Sequence, residues 1–462
     1  MMGRKKKYLI ITFGCQMNVL DSERMEGFLR ELGWEEASDI QQAHLILINT
    51  CTVREKPERK ALSLLGRLCK KKSSSLYPIV GICGCVAQQY GEELLVRFSG
   101  LNFVLGTNQV YRLKEALEKA EKGERFAFTD WLEAKKSSCL FTTSRYRPVK
   151  GVSAFVTIME GCDNFCAYCI VPYVRGRERS RDPKDIISEI EWLAEQGVKE
   201  VVLLGQNVNS YGLKNGFGVD FPELLKMVCG VEGIKRVRFT TNHPKDLSDK
   251  LIEVMAEEEK ICEQIHLPLQ AGSNKILKLM GRGYTREKYL ELVEKLRKAM
   301  PEVGISTDLI VGFPGESEED FKQTLEMVKL VEFDEAFTFK YTPRPFTRAR
   351  TLPEQVPEEV KRERLYQLEE LVERITEEKN QKQVGKSKEI LLEGESKKDP
   401  ERLTGRSREG RLVHIPKQGA EKLIGEIIEV KIIEGLKHSL IGELLETKTE
   451  NIWQGEEQCL LR

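Results

Sequence analysis

Cys162, Cys166 and Cys169 stand in the run Gly161-Cys162-Asp163-Asn164-Phe165-Cys166-Ala167-Tyr168-Cys169, a CxxxCxxC triplet with an aromatic residue just before its last thiol. Three thiolates can hold three corners of a four-iron cluster and leave the fourth iron open. An open iron can bind and activate a small molecule, whereas a fully ligated cluster mainly carries electrons. A structural zinc site would need four ligands, commonly as two CxxC pairs, and no nearby fourth Cys or His completes one.

Three more thiols share a different pattern. The apolar runs Tyr8–Phe13, Leu45–Asn49, Ile79–Gly81 and Phe103–Leu105 alternate with helical segments, which predicts βα units in a parallel sheet. Cys15, Cys51 and Cys85 each follow one of the first three runs, at the edge where open α/β sheets bind ligands. One such cysteine would read as a packed thiol. Three at successive strand ends point to a second metal site. Cys83, two residues before Cys85, is read as packed within the sheet.

A second series of βα units is expected from strands near Ala154–Met159, Glu200–Leu204, Val237–Thr240, Gln264–Leu267, Gly304–Val311 and Glu335–Tyr341. Six parallel strands make a partial barrel, with the triplet at its catalytic face. After a charged helix from Glu358 come five short strand candidates between Lys388 and Glu443, enough for a small closed β-barrel. The fold class is therefore α/β. An N-terminal open parallel α/β domain (5–125) is followed by a linker (126–147), a central partial (βα)6 barrel (148–380), a small C-terminal β-barrel (381–446) and a polar tail (447–462).

The chain of 462 residues carries 12 cysteines, and 73 lysines and arginines balance 73 acidic residues. Net charge neither supports nor excludes a nucleic-acid partner, so local patches must decide. The apolar run Tyr8–Phe13 is too short for a signal peptide core or a membrane span, so a reducing cytoplasm is expected, with no membrane. Arg175, Arg177, Arg179 and Arg181 recur at every second position just after the triplet. In an extended segment they would share one face, either guiding a phosphate backbone or ion-pairing along a strand edge. Asp182-Pro183 then reads as a helix start. Arg402, Arg406, Arg408 and Arg411 form a weaker basic group in the C-terminal barrel.

The triplet, the six βα units and the stretch Leu204-Gly205-Gln206-Asn207-Val208-Asn209 resemble the radical S-adenosylmethionine superfamily. With Cys15, Cys51 and Cys85 ahead of it and a TRAM-like barrel behind it, the chain is similar to the methylthiotransferases within that superfamily. Thr240-Thr241-Asn242-His243-Pro244, His266–Ser273 and Tyr341-Thr342-Pro343-Arg344-Pro345 look most like the branch that methylthiolates isopentenylated adenosine beside the anticodon of tRNA. Asn242 departs from a usual serine there, and Phe346 from a usual glycine.

The resemblance implies two 4Fe-4S clusters and S-adenosylmethionine as cofactors. Cys162, Cys166 and Cys169 would hold the cluster that chelates S-adenosylmethionine and yields a deoxyadenosyl radical. Cys15, Cys51 and Cys85 would hold an auxiliary cluster that carries or supplies sulfur. Gln206, Asn207 and Ser306-Thr307-Asp308 are further candidates for contacting S-adenosylmethionine. The implied partners are tRNA, an external one-electron reductant of the flavodoxin or ferredoxin type, and a sulfur donor or cluster-repair system, with the protein a monomer. Two other readings stay open: action on another tRNA adenosine or on a ribosomal protein, and a non-enzymatic iron–sulfur protein that binds RNA or transfers electrons.

Overall fold

Strands β1 (Lys7–Phe13), β2 (Glu35–Glu36), β3 (Leu45–Thr50), β4 (Ile79–Gly84), β5 (Phe103–Leu105) and β6 (Phe126–Phe128) form a parallel sheet in the order β2-β1-β3-β4-β5-β6 in the computed structural model. The structure describes residues 5–53, 55–71, 78–131, 147–214 and 217–445. β3 and β4 are buried along their whole length, as apolar runs must be when helices cover both faces of a sheet.

The register of β1, β3 and β4 brings Phe13, Thr50 and Gly84 level, so Cys15, Cys51 and Cys85 leave the sheet on one edge. The helix Gln16–Glu31 starts there, and Asn18 in its first turn ties the edge together. Its side chain accepts from the Cys15 N–H at 3.3 Å and donates to Asn49 Oδ1 and to the Thr50 carbonyl at 3.2 and 3.1 Å.

The expected linker from 126 loses its first residues, because Phe126–Phe128 is the sixth strand of this sheet. Phe126 stacks on Phe103 at 6.1 Å, so two aromatic rings hold an edge strand too short for a periodic signal. Of the rest of that segment, 132–146 lies outside the described residues, as does the expected tail from 447.

The central region opens with β7 (Ser153–Thr157) and the antiparallel pair β8 (Met159–Glu160) and β9 (Arg179–Ser180). β10 (Glu200–Leu204) pairs with β7 on one side and β11 (Arg236–Phe239) on the other. β12 (Gln264–His266), β13 (Gly304–Val311) and β14 (Glu335–Lys340) form a second parallel sheet, and a bridge between Val237 and Ile261 joins the two. This is the expected partial barrel, wrapped by helices whose apolar faces build one continuous core with the strands. Asp182 caps the helix Pro183–Glu195 by accepting from the Lys184 N–H at 2.8 Å.

β15 (Ser387–Glu395), β16 (Arg402–Ser407), β17 (Leu412–Pro416), β18 (Ile427–Gly435) and β19 (Leu440–Leu444) close a barrel in the order β15-β16-β17-β19-β18. Its β16–β17 hairpin docks on the amino-terminal ends of the central strands. There Arg236 donates to the Arg406 carbonyl at 2.7 Å, and Arg238 donates to the carbonyls of Ser407 and Arg408 at 2.7 and 2.9 Å. Arg408 reaches back to Glu263 at 2.8 Å, and Arg411 pairs with Asp334. Two of the four barrel arginines thus tie the barrel to the central region, while Arg402 and Arg406 pair with Asp399 and Glu393 inside the barrel. A cavity of about 400 Å³ lies at this junction, lined by residues that include Ser306, Glu335, Phe337, Arg411 and His438. It sits at the opposite end of the strands from the cysteines.

Candidate metal centre

The six singled-out cysteines gather in two groups on the carboxyl-end face. The Cys51 thiol lies in hydrogen-bonding contact with both Cys15 and Cys85. Cys15 is exposed, while Cys51 and Cys85 are buried. A hydrogen bond from Cys51 is the main cause that brings the Cys15 thiol down to about 6, with the Arg175 guanidinium adding to it. Cys85 is lowered by the same two influences, and Cys51, as the shared donor, is pushed up. Cys83 is packed instead in the N-terminal core, its sulfur 3.6 Å from Met25 Sδ, and burial drives its thiol far up. The reading that separates Cys83 from Cys85 matches this placement.

The second group sits in the loop after β8. Gly161 has φ +79°, and a Cβ there would come within 2.1 Å of the Arg177 carbonyl, so only glycine lets the loop turn this tightly. Cys162 N–H donates to the Gly176 carbonyl at 3.2 Å and Cys169 N–H to the Cys166 carbonyl at 2.9 Å, which folds the loop on itself. Burial pushes Cys162 up to about 11 and Cys169 up to about 12, and in both the neighbouring Cys166 adds to the rise. Such thiols stay protonated until a bound metal replaces their protons. Among the described residues, no three His, Cys, Asp or Glu side chains are arranged for a single metal ion. A four-iron cluster does not require that arrangement, since its ligands bind different irons.

Each group faces one buried arginine. Arg282 is 4% exposed and donates to Cys166 Sγ at 3.4 Å, to the Pro268 carbonyl at 2.9 Å and to Tyr284 Oη at 3.0 Å. All the partners found for it among the described residues are neutral. A buried cation without a carboxylate is costly, and a thiolate-ligated cluster would supply the missing negative charge. Arg175, also 4% exposed, instead has carboxylates: Asp21 at 3.2 Å and Glu160 at 4.0 Å.

The two groups adjoin. Ile170 and Val174, directly after Cys169, pack against Cys85. Met17 and Leu20 of the first helix cover Val202, Leu204 and Phe155 of the central strands. Arg344, from the Pro-Arg-Pro segment, pairs with Glu58 across the same boundary.

The arginine stripe resolves mostly toward ion pairing. Only Arg179–Ser180 of that segment is strand. Arg179 bonds Asn108 at 3.1 Å, and Arg181 pairs with the buried Glu189. Arg177 alone projects outward, its side chain 72% exposed. One alternating face did not form, because Arg175 ends a helical turn and Gly176 has φ +81°.

Around the triplet lie buried polar atoms with no partner among the described residues: Asn207 Oδ1, both amide atoms of Asn209, Asn242 Oδ1, Gln270 Oε1 and His243 Nε2. His243 Nδ1 accepts from the Lys245 N–H at 3.2 Å, so its Nε2 carries the proton. Burial pulls that imidazole down to about 2 and keeps it neutral. Thr241 and Gln270 have φ +70° and +73°, strained for side chains of their type. Unfilled buried donors and acceptors on a strained rim fit a polar ligand such as the amino-acid part of S-adenosylmethionine.

The sequence candidates divide. Gln206 accepts from the Gly161 N–H at 2.5 Å and so orients the triplet loop. Asn207 donates to Asp246 at 2.8 Å. Ser306 Oγ lies 3.0 Å from His266 Nδ1, and Asp308 lies 3.4 Å from its Nε2, a trio inside the barrel. Thr307 bonds the Leu267 and Leu269 backbone and is structural. Arg282, Asn209 and His243 were not singled out as site residues by the sequence reading. The glycines flanking Arg282, at φ +72° and +70°, were the available signal.

Family models match residues 7–106 (uncharacterized protein family UPF0004), 156–328 (radical SAM superfamily) and 381–445 (TRAM domain). A tRNA-2-methylthio-N(6)-dimethylallyladenosine synthase of Carboxydothermus hydrogenoformans is 50% identical over 96% of this chain and 100% of its own length. One of Caldicellulosiruptor saccharolyticus is 47% identical over 96% and 93%. The radical S-adenosylmethionine methyltransferase TsrM of Kitasatospora setae, solved with tryptophan and an S-adenosylmethionine analogue, is 15% identical. It superposes with a TM-score of 0.54 over 75% of each chain, a likeness of fold.

Proposed function

The chain belongs to the methylthiotransferases of the radical S-adenosylmethionine superfamily, and from that premise we propose that it converts N(6)-dimethylallyladenosine in tRNA to its 2-methylthio derivative. S-adenosylmethionine and 4Fe-4S clusters are the cofactors of this chemistry. Together they supply a one-electron cleavage whose carbon radical can take hydrogen from an unactivated C–H, and a methyl group for sulfur.

We assign Cys162, Cys166 and Cys169 to the cluster that meets S-adenosylmethionine, and Cys15, Cys51 and Cys85 to the auxiliary one. The adjacency of Cys85 to Ile170 and Val174 carries this reading, because hydrogen abstraction and sulfur delivery must reach the same carbon. The neutral His243 N–H, the Asn209 amide and the Asn242 and Gln270 carbonyls are placed to bind and orient a polar ligand without exchanging protons with it. Met17, Leu20 and Phe155 exclude water from one side of the barrel lumen.

The reaction calls for an external one-electron reductant of flavodoxin or ferredoxin type and a sulfur donor, acting in the cytoplasm on a monomeric enzyme. No helix among the described residues is long and apolar enough to cross a membrane. Reconstituted protein, S-adenosylmethionine, a reductant and dimethylallyladenosine-containing tRNA should yield the methylthio nucleoside by mass spectrometry. Deoxyadenosine production with no methylthio mark would sink the substrate assignment.

A further inference from the structure

Three aromatic rings from three segments meet on the surface beside the triplet. Phe165 lies between Cys162 and Cys166, Tyr173 on the following helical turn, and Phe346 after β14; they are 37%, 37% and 63% exposed. Phe165 meets Tyr173 edge-on at 6.2 Å, and Tyr173 meets Phe346 at 5.9 Å. Arg177 stacks its guanidinium 5.1 Å from the Phe165 ring centre.

Two of the rings are held on unfavourable backbone. Phe165 has φ +46° and Phe346 +67°, where a bulky residue is strained and glycine is not. Folding gains little from a ring left 63% in water, so the reason for a phenylalanine at 346 lies outside the folded chain.

The charges beside the rings are layered. Arg177 and Lys214 pair with Asp163 at 2.8 and 2.7 Å, Lys245 reaches Asn164 at 2.7 Å and Asp246 at 3.7 Å, and Lys214 stands 3.7 Å from Glu178. The cationic side chains are 72%, 50% and 43% exposed, while Asp163, Glu178 and Asp246 are recessed at 15%, 3% and 21%. A molecule approaching from solvent therefore meets cations beside flat apolar faces. Single-stranded nucleic acid has the matching chemistry, with π-faces for the rings and phosphates for the cations.

We propose that Phe165, Tyr173, Phe346 and Arg177 form a stacking platform for a nucleobase of the anticodon loop next to the adenosine being modified. This rests on the tRNA reading above and adds which surface grips the RNA. A base stacked here would hold its neighbour over the triplet while that neighbour is turned inward.

The test uses the cluster-loaded enzyme and an anticodon stem-loop RNA carrying N(6)-dimethylallyladenosine with 2-aminopurine beside it. Binding should quench the 2-aminopurine. Phe346→Gly should lose much of the quenching and bind roughly five- to a hundredfold more weakly, the range for one lost base stack. Its melting temperature should hold or rise, since glycine relieves the backbone, and this separates a platform from a packing role. Equal affinity for wild type and F346G overturns the platform alone. So does an affinity loss that persists with an abasic neighbour, or that disappears when the dimethylallyl group is omitted, since the occupant would then be the prenyl tail. Failure of the wild-type enzyme to bind the stem-loop at all would instead overturn the tRNA reading.

Discussion

One trio of thiols hangs on a single tight loop, and the other is collected from three strand ends of a different sheet. In the loop trio burial raises Cys162 and Cys169 to about 11 and 12, and the buried arginine beside Cys166 has no carboxylate among the described residues. In the strand-end trio Cys15 lies near 6, and its arginine already has Asp21 and Glu160. The loop trio therefore lacks its charge balance until a cluster is bound, whereas the strand-end trio is electrostatically prepared without one. The same number of thiols meets two electrostatic environments: one in which burial keeps Cys162 and Cys169 protonated, and one in which a shared thiol donor and a carboxylate-paired arginine favour thiolate at Cys15 and Cys85.

The largest effect should separate the trios by function. Alanine at Cys162, Cys166 or Cys169 should abolish deoxyadenosine formation, while alanine at Cys15, Cys51 or Cys85 should spare it and abolish methylthio product. Iron should fall from about eight to about four per chain in either set. Equal loss of cleavage in both sets would remove the contrast.

The arginines offer a second test, read by denaturant unfolding of the cluster-free protein. Arg175→Met takes from the buried Asp21 and Glu160 a cation they share, leaving Arg24 at 3.6 Å from Asp21 and Arg179 at 3.7 Å from Glu160, and should cost about 1–3 kcal/mol. Arg282→Met removes a cation that has no carboxylate among the described residues and should cost less, or stabilise. In the loaded protein, Arg282→Gln should lower the reduction potential of the triplet's cluster, because a hydrogen bond and a positive charge are withdrawn from a thiolate ligand. An unchanged potential in electron-paramagnetic-resonance titration would break that pairing.

Thiol chemistry gives a smaller, graded difference. A thiol with its value near 6 is mostly thiolate above that pH, whereas one near 11 or 12 is almost wholly protonated at neutrality. In cluster-free protein at pH 7.5, iodoacetamide should label Cys15 more than about tenfold faster than Cys162 or Cys169, by peptide mass spectrometry. The Cys15 labelling rate itself should fall as pH is lowered through about 6, where its thiolate is lost. Smallest of all, Cys83→Ala should cost about 1–2 kcal/mol and leave iron content unchanged. Loss of iron would move Cys83 into the ligand set.

Much of this was legible along the chain wherever the signal was local. The triplet, the buried runs of β3 and β4, the Asp182-Pro183 helix start and all five strands of the C-terminal barrel lie close to where spacing and patterning put them. Where a contact from elsewhere decided the outcome, the local signal failed. β6 exists because Phe103 stacks on Phe126. The arginine stripe reads as one face only until Arg175 turns toward Asp21 and Arg181 toward Glu189, leaving Arg177 alone outside.

The sequence by itself separated the triplet from the strand-end cysteines as two sets, because cysteine spacing and strand-end position are properties of neighbouring residues. Only the tertiary structure decided that the sets adjoin through Ile170, Val174 and Cys85. It alone paired one arginine with carboxylates and left the other facing a sulfur, and it turned Phe346 outward beside Tyr173. Those outcomes depend on long-range packing and on which charges are desolvated together, and neither is written in the spacing of residues along a chain.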